Sequence, residues 1–115
     1  MEEKLKDSVD GCKPTLRTIE TEMVERICDV FRMISEPSRL KIVLALLDSE
    51  LCVQHILQCV GGTQSALSHQ LRILKDNRVL RARREGQNVY YALADEHVRQ
   101  MVDMGLRHGQ CGGER

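Results

Sequence analysis

Four residues near the C terminus of this 115-residue chain, Asp95, His97, His108 and Cys111, carry the carboxylate, imidazole and thiol donors that bind divalent transition metals. An oxygen, two nitrogens and a sulfur in four-coordination suit Zn(II), with Co(II) and Ni(II) as competitors. Cys12, Cys52 and His55 are a second candidate group, with Cys52 and His55 three residues apart and so on one face of a helix. Between the two groups lies a different chemistry. Gln64, Ser65, Ser68, His69, Gln70, Arg72 and Lys75 are mostly short or planar hydrogen-bonding side chains, the kinds that meet base edges and phosphates when a helix lies in a major groove. Arg81, Arg83 and Arg84 follow at once, and guanidinium groups grip phosphates or enter a minor groove. No Ser/His/Asp, Cys/His or phosphate-loop pattern accompanies them, so the reading is of a binding protein and not an enzyme.

These side chains need particular elements to hold them. Ala66, Leu67, Leu71 and Leu74 form one buried stripe of a helix that Gly61 and Gly62 precede and Thr63 can cap. Val53, Ile56, Leu57 and Val60 mark a short helix upstream, giving helix, glycine turn, helix. Beyond Asn77, residues 79–84 read as a strand, 85–87 as a turn and 88–93 as a returning strand. The expected fold is therefore mainly α with a small β-hairpin, a winged helix-turn-helix. Formal charge is zero over the whole chain, yet residues 64–93 hold six basic and two acidic residues, net +4, and residues 1–36 hold six basic and nine acidic, net −3. A local positive surface is what double-stranded DNA requires.

The flanks are helical as well. Leu16, Ile19, Met23, Ile27, Val30 and Ile34 step by three or four with Phe31 beside them, Leu40, Val43, Leu44 and Leu47 form the face of a helix opened by Pro37, and Val98, Met101, Val102 and Leu106 mark a last helix over about 95–108 that Gly109, Gly112 and Gly113 end. Both terminal helices carry more apolar surface than a reading head of this size needs. A two-fold homodimer built from them buries that surface and sets two reading helices ~34–36 Å apart. Residues 1–14 read as a flexible N-terminal arm, 15–110 as the DNA-binding and dimerisation domain, and 111–115 as a tail. With no membrane-length apolar run and no signal peptide, a cytoplasmic location is expected. Five cysteines without a CxxC pair argue against a disulfide framework or zinc ribbon, and Cys28 and Cys59 read as core.

From Val24 to Cys111 the chain resembles the ArsR/SmtB family of dimeric winged-helix metal-sensing repressors. The likeness rests on Ser35-Glu36-Pro37-Ser38-Arg39-Leu40, Glu50-Leu51-Cys52-Val53, Ser65-Ala66-Leu67-Ser68-His69-Gln70-Leu71 and Gly86-Gln87-Asn88-Val89-Tyr90-Tyr91. It implies a repressor that holds an operator in its apo form and leaves it when an inducer binds. His97 and His108 are ~16 Å apart along one helix, too far for one ion, whereas two antiparallel helices across a dimer axis can pair Asp95 and His97 of one protomer with His108 and Cys111 of the other. The family's C-terminal-helix site has His or Glu where Cys111 stands. That departure either softens the site or leaves water as fourth ligand. Relatives with a site between arm and helix have a second cysteine or an aspartate where Gln54 and His55 stand here. Arg78, at the end of the reading helix, is the candidate for coupling metal to DNA through an outer-shell hydrogen bond. The alternative is a repressor of the same fold that senses thiol oxidation through Cys52, Cys59 or Cys111.

Overall fold

A computed structural model describes residues 18–113. The elements run α1 (Thr21–Ile34), α2 (Pro37–Ala45), β1 (Leu51–Cys52), α3 (Val53–Val60), α4 (Gln64–Asp76), β2 (Leu80–Glu85), β3 (Asn88–Leu93) and α5 (Glu96–Gly113). Local chemistry sets most boundaries. Pro37 opens α2, and the Glu36 carboxylate accepts the Arg39 N–H at 3.1 Å. Gly61 and Gly62 turn the chain with φ of 77° and 83°, and Thr63 Oγ1 then accepts the Ala66 N–H at 3.2 Å to cap α4.

The end of α4 is a Schellman motif. Arg78 N–H donates to Lys75 O at 3.0 Å and Val79 N–H to Leu74 O at 2.9 Å, with the chain reversing at Arg78, φ 63°. Buried Val79 and Leu74 supply the apolar contact that accompanies this cap. The hairpin closes on Gly86 and Gln87, and φ of 65° at Gly86 marks a type II′ turn, whose twist matches that of the strands.

The sheet has three strands rather than the two of a bare hairpin. Its order is β1-β3-β2, all antiparallel, with Leu51 opposite Tyr91, Cys52 opposite Tyr90, and Leu80 to Glu85 opposite Leu93 to Asn88. Cys52 is thus an extended residue at the N-cap of α3, and His55 lies in the first turn of that helix.

The core gathers Ile42, Val43, Leu46, Ile56, Leu67, Leu71, Leu74, Val79, Leu80, Leu93 and Val102. On α2 the deepest positions are Ile42 and Val43, followed by Leu46 just past its end, whereas Leu40, Leu44 and Leu47 are half-buried at the core's margin. In α1 no residue is buried, and Ile27 and Phe31 are 48% and 52% exposed. Phe31, Leu40, Leu44, Met101 and Leu106 line an apolar groove of about 580 Å³ where α1, α2 and α5 meet. Cys28 and Cys59, expected in the core, are exposed. Cys28 belongs to the helix that buries nothing, and Cys59 lies on the outer side of α3, whose buried residue is Ile56. The last helix passes Gly109 and continues to Gly113, so Cys111 is helical and not part of a tail. One glycine costs a helix interior about 1 kcal/mol, less than is needed to stop one already propagating. Among the described residues no helix is long and apolar enough to cross a membrane. The arm over 1–14 and residues 114–115 lie outside the described residues.

Candidate DNA interface and metal centre

Leu67, Leu71 and Leu74 anchor α4, and that anchoring turns Gln64, Ser65, Ser68, His69, Arg72 and Lys75 to solvent. Gln70 is different. It is half-buried, and its Oε1 accepts the Arg39 Nε–H at 2.9 Å, while Arg39 Nη1 lies 3.6 Å from Met33 Sδ. Gln70 therefore ties α4 to α2 and the end of α1, which commits the amide oxygen that a base edge would need.

The three wing arginines also divide. Arg81 and Arg84 are exposed on β2. Arg83 donates from Nε to both Glu50 carboxylate oxygens at 3.0 and 3.1 Å, from Nη2 to Glu50 again, and from Nη1 to Glu85 at 2.8 Å. Its guanidinium lies 4.7 Å from the Tyr90 ring centroid. These hydrogen bonds from Arg83 hold the Glu50 carboxyl below the usual carboxylate range, and the bonds to Glu50 and Glu85 raise the Arg83 guanidinium above its ordinary value. Arg83 so fastens the wing to the segment entering β1, and Arg81 and Arg84 are the exposed wing arginines outside this ion-pair cluster. Sequence reading missed Arg39 and Glu50 because their partners are 31 and 33 residues away, beyond any local spacing.

The metal-type donors sit at the two ends of α5. Asp95 caps the helix, its Oδ1 accepting the Val98 N–H at 3.0 Å, and the same oxygen is 3.8 Å from His97 Nδ1. His97 is 92% exposed. His108 and Cys111 are exposed and three residues apart on continuous helix, hence on one face. Among the described residues no three histidine, cysteine or acidic side chains come together. Asp95 with His97, and His108 with Cys111, are two pairs of donor side chains at opposite ends of one helix. Of the second group, Cys12 lies outside the described residues, Cys52 is half-buried before α3 and His55 is exposed. As thiol sensors, Cys52 and Cys59 stand ~10 Å apart along α3, beyond disulfide reach within one chain.

Arg78 occupies the left-handed position of the α4 cap, exposed. The link from this cap to α5 is made by backbone, with Ala94 N–H donating to Val79 O at 2.9 Å. Val79 directly follows Arg78 in the cap of the reading helix, and Ala94 directly precedes Asp95.

Residues 36–82, from the cap of α2 into β2, match the family model of the bacterial regulatory protein, arsR family. A cadmium resistance transcriptional regulatory protein CadC homolog of Staphylococcus aureus is 39% identical over 83 residues, 71% of this chain and 69% of the relative. The chain belongs to the ArsR family. A transcriptional repressor SmtB homolog of Synechocystis is 43% identical over 77 residues, 67% of this chain, and the match spans 58% of that relative's length. Among solved structures, the AntR antimony-specific transcriptional repressor superposes with a TM-score of 0.79 at 29% identity, covering 88% of this chain and 92% of AntR. This ArsR-family chain is thus a winged helix-turn-helix transcriptional regulator and not an enzyme. The region matched by the family model is the reading head, and α5 with its metal-type donors lies beyond it.

Proposed function

We propose that this protein is a homodimeric repressor that holds operator DNA in its apo form and releases it when Zn(II), or a similar divalent metal, binds between the two α5 helices. Each site would take Asp95 and His97 from one protomer and the partner subunit's His108 and Cys111. The observation that carries this is the split of donors between the two ends of α5, where among the described residues neither pair gathers with a third such side chain into a group of three. The donor types fit the ion. Ligand atoms on tetrahedral zinc sit about 3.3 Å apart, and Asp95 Oδ1 and His97 Nδ1 are already 3.8 Å apart. The exposed apolar faces of α1 and α5 supply the surface a second copy would cover, and relatives described as SmtB and CadC homologs support a metal as the signal.

When bound, the metal supplies a cross-link between protomers. The protein's part is transmission. A shift of Asp95 reaches the cap of α4 through Ala94 and Val79, so the angle between the two reading helices follows that between the α5 helices. Coupling of this kind typically amounts to ~1–3 kcal/mol. The test is a Co(II) titration followed by absorption, with operator anisotropy read in parallel. His108→Ala is expected to keep apo operator binding and to lose metal-induced release. Release unchanged in His108→Ala, or in His97→Ala, would overturn the site.

A further inference from the structure

The cleft between α4 and the wing is lined by five polar side chains, none of them charged. Gln54 from the first turn of α3, Gln64 and Ser68 from α4, and Gln87 and Asn88 from the hairpin end meet around a cavity of about 230 Å³, with Cys52, Val53 and Val89. All five are exposed, and among the described residues none is committed to a side-chain hydrogen bond, in contrast to Gln70 and Arg83. This inference rests on the operator-binding repressor proposed above, taken with α4 in a major groove and the wing at an adjoining minor groove. One sugar–phosphate strand separates two such grooves, and that strand must cross the cleft.

We infer that the cleft is a phosphate seat built from neutral donors, with Gln54, Gln87 and Asn88 as DNA contacts in addition to those on α4 and β2. Amide NH₂ and hydroxyl groups donate to phosphate oxygens without distinguishing sequence. They also bring no positive charge. A phosphate neutralised by arginine or lysine adds ~0.9 to the slope of log affinity against log salt, because a counterion leaves, whereas a neutral donor adds affinity and leaves that slope alone. Since α3, α4 and the wing all contribute, a strand held here fixes the register of the reading helix against the wing.

The measurement is anisotropy of the full-length protein on two fluorescent duplexes, one from its own upstream region and one unrelated, across a salt series. Gln54→Ala and Asn88→Ala are each expected to weaken binding about fivefold on both duplexes, with the salt slope unchanged. Arg84→Ala, run alongside, should lower the slope by about one. Unchanged affinity, a loss confined to one duplex, or a changed slope in Gln54→Ala and Asn88→Ala would overturn the seat. Should either alanine variant melt early, Gln54→Glu and Asn88→Asp keep nearly the same shape. Facing phosphate with a carboxylate, they are expected to weaken both duplexes more than alanine does, and wild-type affinity in them overturns the seat equally. Wild-type protein that binds neither duplex is a separate outcome, and it defeats the repressor reading itself.

Discussion

Helices α1 and α4 are fourteen and thirteen residues long and both carry an apolar stripe, yet α4 fully buries Leu67, Leu71 and Leu74 while α1, among the described residues, only half-buries Met33 and Ile34 against the core. The stripes differ in what the same protomer offers them. Around α4 stand α2, β2 and β3, whose Ile42, Leu80 and Leu93 close the core. Around α1 there is α2 on one side and an open groove on the other. The reading head is thus complete in one chain, whereas the flanking helices carry surface of the kind one copy of a molecule offers another. The same hydrophobic periodicity therefore does two jobs, folding in one case and association in the other.

Substitutions can break that comparison. Leu74→Ala removes a side chain with no solvent exposure and is expected to cost about 3–5 kcal/mol in denaturant unfolding, a large share of a small domain's total stability. Phe31→Ala should act instead on association, weakening the dimer about tenfold to a hundredfold by sedimentation, because it trims an exposed aromatic at the groove. If the two variants changed unfolding alike, α1 would belong to the core after all. Within the head, Arg78→Gly should stabilise by up to about 1 kcal/mol, since a non-glycine residue at φ 63° carries strain that glycine lacks. A melt of the variant at or below the wild-type temperature would mean that the Arg78 side chain has contacts worth more than the strain.

The smallest effect expected is acid-dependent. Arg83 holds the half-buried Glu50 below the carboxylate pKa of an unfolded chain, about 4.3. Its contribution is therefore full above that value and lost as pH falls through the lowered folded pKa. Glu50→Gln should melt slightly lower than wild type at neutral pH and converge with it in strong acid. A gap that persists in acid would assign the difference to packing.

What the sequence revealed and what it hid follow from distance along the chain. The reading helix, both glycine turns and the hairpin register rest on neighbours within about ten residues, and their boundaries agree closely with expectation. Strand β1 is two residues long and owes its existence to Tyr90 and Tyr91, nearly forty residues on. The commitments of Gln70 and Arg83 likewise depend on remote partners, so residue type alone placed both among DNA contacts. Cys28 looked like core because periodicity reports that a face is apolar, and is silent on whether its own chain covers it. The donors on α5 were legible as types, and the uninterrupted helix through Gly109 now puts His108 and Cys111 on one face, which a glycine-terminated helix would not have done.

The length of α5 gives it mechanical advantage. Of the eighteen helical residues, the first two turns are pinned to the head by Val98 and Val102, and the stretch beyond Val102 is ~16 Å long, so a tilt of ~5° there sweeps its far end by ~1.5 Å. A small displacement that the head barely registers is thus magnified at His108 and Cys111. Operated in reverse, a lever of this ratio lets a modest force at the far end exert a larger one on the cap of α4.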